Sequence, residues 1–280
     1  MKIQQTEQKL KSEKKLTCFI ADTEALIKEA QTLRYRVFAQ EMGATLKSGS
    51  EGLDYDEFDS YCDHLVVYDN VNAKIIGYTR LLNQDQAKYL GRFYSESEFI
   101  LDQVLALPGR FLEIGRTCVD PDYRGGAVLT TLWSALVQYA LEGKFNYLLG
   151  CASITPGVSG YAIDAVYRAI DAKNIAAPEL QVKPLIPVPK ALRCQRDESG
   201  IPPLLKAYLR FGALVCGEPY WDEDFNCMDL FVLLPLDQLQ ERYSNHYMRG
   251  YIARDGVYAA SQSGTGAAIA KDGVYAASEQ

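Results

Sequence analysis

Histidine is almost missing from this chain: two occur in 280 residues, His64 and His246. With so few, and with scattered cysteines, no recognisable ligand spacing for a metal is present. The seven cysteines (18, 62, 118, 151, 194, 216 and 227) contain no CxxC pair, are odd in number and mostly sit in apolar, strand-like runs. They read as reduced thiols of a cytosolic protein rather than a disulfide framework. A basic excess is missing too. Lysine and arginine total 29 against 36 acidic residues, a net charge of −7, which argues against a general nucleic-acid-binding role. No apolar run is long enough to span a bilayer, and the polar start MKIQQTEQKLKSEKK lacks the apolar stretch of a secretory signal. The expectation is a cytoplasmic protein that touches a membrane, if at all, only at the inner surface. What is present is 48% hydrophobic residues, enough to bury a full core.

Residues 1–14 read as a mobile lead, 15–250 as one folded domain and 251–280 as a flexible tail. In the tail, Arg254-Asp255-Gly256-Val257-Tyr258-Ala259-Ala260-Ser261 returns as Lys271-Asp272-Gly273-Val274-Tyr275-Ala276-Ala277-Ser278. Two copies are too few to stack on one another. Within the domain, 16–20 reads as a strand. Asp22 or Thr23 caps a helix to about Met42, with Leu26, Ile27, Ala30, Leu33, Val37 and Phe38 along one face and Gly43 as its stop. An acidic, aperiodic loop covers 48–63. Residues 65–68 and 74–82 form paired strands, and Ser95 with Glu98 has capping-box spacing for a short helix ending near Pro108. Phe111–Val119 reads as a strand, Ala127–Glu142 as its helix, closed by Gly143, and Tyr147–Ile154 as a strand covered on both faces. Helices are expected over 161–172, 204–211 and 236–243, and a strand pair over 214–217 and 228–234. The proline-rich 184–189 belongs at an edge or in a loop.

The most informative stretch is Leu112-Glu113-Ile114-Gly115-Arg116-Thr117-Cys118-Val119, running through Asp120-Pro121-Asp122-Tyr123-Arg124-Gly125-Gly126 into an apolar helix. It reads as a buried strand, a tight loop and a helix N-terminus. The first amides of a helix lack partners and its dipole leaves that end partly positive, so the loop is an anion cradle. Arg124 beside two glycines adds a charged fork where backbone can approach a phosphate closely. Glu113 and Arg116 sit beside this cradle, which points to group transfer from a phosphorylated carrier.

The order strand, helix, paired strands, strand, phosphate loop, helix, strand, helix, strand pair resembles the GNAT N-acyltransferase fold. That implies an α/β domain with a mixed, splayed central sheet flanked by helices. Arg34-Tyr35-Arg36-Val37-Phe38, Glu57-Phe58-Asp59-Ser60-Tyr61-Cys62-Asp63-His64-Leu65, Arg80-Leu81-Leu82, Leu112-Glu113-Ile114-Gly115-Arg116 and Val119-Asp120-Pro121-Asp122-Tyr123-Arg124 resemble the ornithine-acyl-carrier-protein N-acyltransferases, often labelled hemolysin-like. More distantly, Arg34, Phe38, Arg80, Glu113 and Arg116 are similar to the framework of acyl-homoserine lactone synthases. The resemblance implies transfer of a 3-hydroxyacyl chain from acyl carrier protein to the α-amine of ornithine, giving lyso-ornithine lipid. The donor would be an acyl-phosphopantetheine, with no permanently bound cofactor. The usual acyl-CoA loop of the fold, R/Q-x-x-G-x-G/A, is degenerate here, because Ala127 and Leu129 stand where glycines admit a pyrophosphate. A single phosphate needs less of a nest, which favours acyl carrier protein over acyl-CoA.

The implied chemistry assigns roles. Glu113 is the candidate base, its pKa expected to rise in apolar surroundings; an ion pair with Arg116 or Arg80 is the alternative. Backbone amides around Thr117, Cys118 and Val119 would supply oxyanion donors and align the pantetheine, with Arg124, Gly125, Gly126 and Ala127 at the phosphate. Tyr167 lies on the helix where this fold often places the tyrosine that protonates the leaving thiolate. Glu57, Asp59 and Asp63 would hold the ammonium groups of ornithine, and Arg80 or Arg34 its carboxylate, with Arg116 also at the substrate. Cys62 and His64 share a strand face, but direct transfer needs no thiol nucleophile. Lys183, Lys190, Arg193 and Arg196, followed by Lys206 and Arg210, form the densest basic cluster for docking an acidic carrier protein. Other readings stay open: a different acceptor such as glycine, acyl-homoserine lactone synthesis from S-adenosylmethionine, or a non-catalytic acyl-carrier or membrane-surface module. The lactone synthases usually carry a tryptophan soon after the phenylalanine that Phe38 matches, and none lies between Phe38 and Asp59.

Overall fold

The computed structural model describes residues 15–46, 52–157, 159–194 and 201–237. The expected lead (1–14), the tail with its repeat, Arg196 and all but the first two residues of the helix expected over 236–243 lie outside the described residues.

Strand β1 (Leu16–Ala21) leads into helix α1 (Glu24–Tyr35), capped by Thr23, whose Oγ1 accepts from the Leu26 N–H at 3.4 Å. The helical path continues as expected, but as a π-helical turn over Arg36–Glu41 that buries the adjacent pair Val37 and Phe38. The wider turn rotates the apolar face, so both residues reach the interior. Strands β2 (Asp63–Asp69) and β3 (Lys74–Asn83) pair antiparallel. Their connection is closed by Asp69, whose Oδ1 accepts from the Val71 and Asn72 N–H groups.

The stretch between β3 and the central strand departs from expectation. Helix α2 (Gln84–Leu90) buries only Ala87 and so carries little apolar periodicity; Asn83 and Gln86 close a capping box at its start. Ser95 caps no helix. Residues 94–97 form one 3-10 turn in which Glu96 accepts from the Phe93 N–H, followed by β4 (Phe99–Ile100) and the single-turn α3 (Asp102–Leu105). Ser95 instead donates its N–H and hydroxyl to the buried Glu113 carboxylate, a group that cannot be buried without donors.

Strand β5 (Phe111–Val119), helix α4 (Ala127–Glu142) and strand β6 (Tyr147–Ile154) lie where the sequence places them. Helix α5 (Ile163–Ala169) is shorter than the expected 161–172, because Tyr161 is drawn into a bridge. Its N–H donates to the Leu192 carbonyl and its own carbonyl accepts from the Cys194 N–H. The chain closes with β7 (Lys183–Pro184), paired to β4, then α6 (Pro203–Arg210), β8 (Leu214–Val215), β9 (Tyr220–Asp222) and β10 (Cys227–Pro235).

The main sheet has the order β1-β2-β3-β5-β6-β10-β8, with β9 beside β10. Every pairing is antiparallel except β5–β6. Alternation along β2 assigns the faces: Leu65 and Val67 pack with Leu132 and Leu136 of α4, whereas Val66 packs with α1 on the other side. In β3 a bulge opposite Val67 and Tyr68 breaks the alternation, so Ile76 joins the α4 face and Tyr78 the α1 face. This is the expected mixed sheet between helices. No helix among the described residues is long and apolar enough to cross a membrane.

Candidate active site

The parallel pair β5–β6 holds for three positions only, ending at Glu113 opposite Leu149. At that point Gly150 is required, since a Cβ there would lie 2.4 Å from the Ile114 carbonyl oxygen. Beyond it the strands part, and among the described residues, 114–119 of β5 have no strand partner on the β6 side. A cavity of about 500 Å³ occupies the gap. On its other edge β5 carries a bulge: Tyr78 pairs with Cys118 but Arg80 pairs with Gly115, so Arg116 and Thr117 face Thr79 together. Arg116 adopts φ +52° there, a strained left-handed value for a residue with a side chain. The bulge re-aims Arg116 onto the cavity wall.

Behind this wall lies a buried ion network. Arg34 donates through Nε to Asp54 at 2.8 Å and through Nη1 to Asp59 at 2.7 Å. Arg80 donates to Asp59 at 2.8 Å and to Asp56 at 2.5 Å. Although burial opposes it, the two guanidiniums hold the Asp59 carboxyl down at about 2. The acidic loop therefore neutralises arginines rather than a substrate. Glu57 pairs with Arg92 at the surface, Asp63 accepts from the Tyr139 hydroxyl, and none of Glu57, Asp59 and Asp63 lines the cavity. Arg34 is also off the cavity, whereas Arg80 and Arg116 line it. Arg116 is the looser of the two, with contacts of 3.5 Å to Asp54, 3.4 Å to Asp56 and 3.4 Å to the Tyr94 hydroxyl. Apart from that 3.5 Å approach to Asp54, its Nε is buried with no hydrogen-bond partner among the described residues, so Arg116 is better placed than Arg34 or Arg80 to take a carboxylate.

Cys62 and His64 do not form a nucleophilic pair. His64 is engaged through Nδ1 by the Tyr78 hydroxyl at 2.7 Å and through Nε2 by the Asp59 carbonyl at 3.0 Å. Burial pushes the Cys62 thiol up to about 12.

Glu113 sits on the cavity wall. Its Oε2 accepts from the Tyr94 N–H at 2.6 Å and its Oε1 from the Ser95 N–H at 2.7 Å and hydroxyl at 2.5 Å. Neither Arg80 nor Arg116 forms an ion pair with it among the described residues; the donors come from the 94–97 turn. Burial raises its pKa, and the Ser95 and Tyr94 hydrogen bonds only partly counter this.

On the donor side, Thr117, Cys118, Val119, Arg124 and Gly126 line the cavity, while Gly125 and Ala127 flank it in the loop and at the helix start. Helix α4 has no side-chain cap at Gly126, leaving its first N–H groups for an anion. Arg124 is held by Glu41 through contacts of 2.5 and 2.7 Å. Tyr167 is not at the site: its hydroxyl donates to the Gly217 carbonyl and it does not line the cavity. The sequence reading missed Tyr208 of α6, which lines the cavity beside Thr117 and is kept protonated by burial. It also missed Glu98, Asp222 and Asp229, which line the same space. Asp229 had a visible signal as the lone charge in the apolar strand CMDLFVLLP. Lys183, Lys190 and Arg193 are exposed on one surface segment, and Lys206 and Arg210 are exposed on α6, the helix that carries Tyr208.

Residues 33–134 match the acetyltransferase (GNAT) domain family. The chain is 36% identical over 245 residues to the L-ornithine N(alpha)-acyltransferase of Rhizobium meliloti (strain 1021), covering 81% of this chain and 82% of that protein. It is also 36% identical to the protein of the same name from Agrobacterium fabrum (strain C58), covering 81% and 83%. In fold it is similar to an N-acyl amino acid synthase from uncultured soil microbes, with 12% identity and a TM-score of 0.50 over 81% of this chain and 93% of that one. At that identity the structural likeness speaks for the fold alone. The sequence likeness, sustained over four fifths of each chain, speaks for common descent: this chain belongs to the L-ornithine N(alpha)-acyltransferase family of GNAT-type acyltransferases.

Proposed function

We propose that this protein transfers a 3-hydroxyacyl chain from the phosphopantetheine thioester of acyl carrier protein to the α-amine of ornithine, giving lyso-ornithine lipid in the cytoplasm. The observation that carries this reading is the cavity where β5 and β6 part. Leu129, Trp133, Leu204 and Leu234 give it an apolar wall, and Glu113 and Arg116 a charged one. A thioester along the unpaired edge of β5 has backbone groups at 117–119 for the pantetheine and the oxyanion. The α4 N-terminus and Arg124 serve its single phosphate.

The reaction forms a C–N bond and breaks a C–S bond. The substrate carboxylate pairs with Arg116. The ammonium gives up a proton to Glu113, directly or through water, and the free amine attacks the thioester carbonyl. The thiolate leaves with a proton from Tyr208, which replaces Tyr167 in that role. The second proton of the newly acylated nitrogen passes through water to the Tyr208 phenolate, so that amide and thiol form together and Tyr208 is restored. An acidic carrier protein docks on the exposed Lys206 and Arg210, with Lys183, Lys190 and Arg193 beyond. This steering weakens as salt rises.

The donor assignment is tested by steady-state kinetics with acyl carrier protein and CoA thioesters of equal chain length. Acyl carrier protein is expected to have the higher kcat/KM. Arg124→Ala should raise the donor KM roughly 10-fold, the scale of one charge-assisted contact. Equal use of both donors would contradict the single-phosphate reading of the loop.

A further inference from the structure

We propose that Glu98 and Asp229, with Asp222 beside them, form a subsite for the side-chain ammonium of the acceptor and so select a diamino acid. This rests on the N-acyltransfer reading above. The three carboxylates come from separate elements: Glu98 follows the 94–97 turn, Asp222 ends β9 and Asp229 lies within β10. Antiparallel pairing sets Asp222 opposite Cys227. One ligand atom each of Asp222, Cys227 and Asp229 lies within 4.8 Å of the other two. All of these residues line the cavity.

Glu98 and Asp229 are each 3% exposed, and the Glu98 Oε2 is buried with no hydrogen-bond partner among the described residues. Among the described residues, none of the three carboxylates has an ion-pair partner within 4 Å, while Arg116 is turned toward Asp54 and Asp56. Buried carboxylates without an ion-pair partner are costly, and the Arg116 guanidinium, which favours the charged form of all three, offsets that only in part. Burial pushes both Glu98 and Asp229 upward, with neighbouring carboxylates adding to the push. An entering cation relieves that penalty and supplies the missing partner of Glu98.

The chemistry favours an ammonium over a metal ion. Asp222, Cys227 and Asp229 offer a metal two carboxylates and one buried thiol, without the histidines or paired thiolates of the usual sites. The cluster also shares its cavity with Arg116, a partner for the carboxylate of the same molecule. The Ser95 hydroxyl donates to Glu113 and lies 3.3 Å from the Cys151 Sγ, and Cys151 touches Glu98. Two small side chains thus lie between the carboxylate assigned to the α-amine and the one assigned to the distal ammonium.

The test compares ornithine with norvaline, which has the same carbon chain without the distal amine, in the full-length enzyme and in Glu98→Gln and Asp229→Asn, using a 3-hydroxyacyl carrier-protein donor. The wild type should favour ornithine strongly. Each variant should lose roughly 10²-fold in kcat/KM for ornithine and much less for norvaline, the scale for removing one partner of a buried charge pair. Circular dichroism and melting curves establish that the variants are folded. An equal loss for both acceptors, or no loss for either, would overturn the subsite. So would a wild type that uses norvaline as well as ornithine, although N-acyltransfer itself would then stand. Loss of ornithine preference on adding EDTA, restored by a divalent metal, would assign the cluster to a metal and overturn it. A wild type that acylates no amino acid would overturn the underlying reading as well.

Discussion

Glu113→Gln should lower kcat about 10²-fold, the usual scale for loss of a general base, and remove the acid limb of the pH–rate profile. The limb is expected because burial holds this carboxyl above its ordinary 4.5, and only the deprotonated form accepts the amine proton. A structural contribution must be separated from the chemical one, since the same carboxylate ties down Tyr94 and Ser95. Ser95→Ala does this. It removes a donor that favours the charged form, so the Glu113 pKa should rise further and the limb should move to higher pH with most activity kept above it. Steady-state rates across the pH range check both outcomes. A Glu113→Gln enzyme with a near-wild-type rate and an unchanged limb would remove Glu113 from the mechanism.

Asp59→Asn should destabilise the fold by roughly 3–5 kcal/mol, as breaking a buried pair leaves charge uncompensated. Here one carboxylate serves two guanidiniums, Arg34 and Arg80, both almost fully buried. The pH dependence has a definite sign. The Asp59 carboxyl falls from 3.8 to about 2 on folding, so its contribution is fully present above the unfolded value and is lost as pH falls through the folded one. Urea unfolding between pH 2 and 7 (about the range this carboxyl spans) should show that loss in the wild type and lack it in Asp59→Asn. A destabilisation below about 1 kcal/mol would show that the network matters little.

The central strand–loop–helix was legible because its signals are local. An apolar strand, a proline- and glycine-marked loop and a 3.6-residue period follow one another in Phe111–Val119 and Ala127–Glu142. Helix α2 was not legible, since it buries one residue and is otherwise polar. The site was legible in part. Glu113, Arg116 and the donor loop are contiguous in sequence and stay together in space. The acceptor side was less legible for a physical reason: charges are visible in a sequence, but their partners are not. Asp59, assigned to ammonium groups, and Arg34 and Arg80, assigned to a carboxylate, turn out to neutralise one another. Glu98 and Asp229 meet only through the fold of the sheet, and Tyr208 reaches the cavity from a helix far from the phosphate loop in sequence.

The central claim is N-acylation of a diamino acid in the cavity where β5 and β6 part. Its most direct measurement is mass spectrometry, with fragmentation, of the product formed by the purified protein from 3-hydroxyacyl carrier protein and ornithine labelled with nitrogen-15 at the α-amine. The account requires one acyl chain joined in amide linkage to the labelled nitrogen, formed by the wild type and reduced about 10²-fold by Glu113→Gln. An acyl chain on the unlabelled nitrogen, or no acylated amino acid at all, would contradict it.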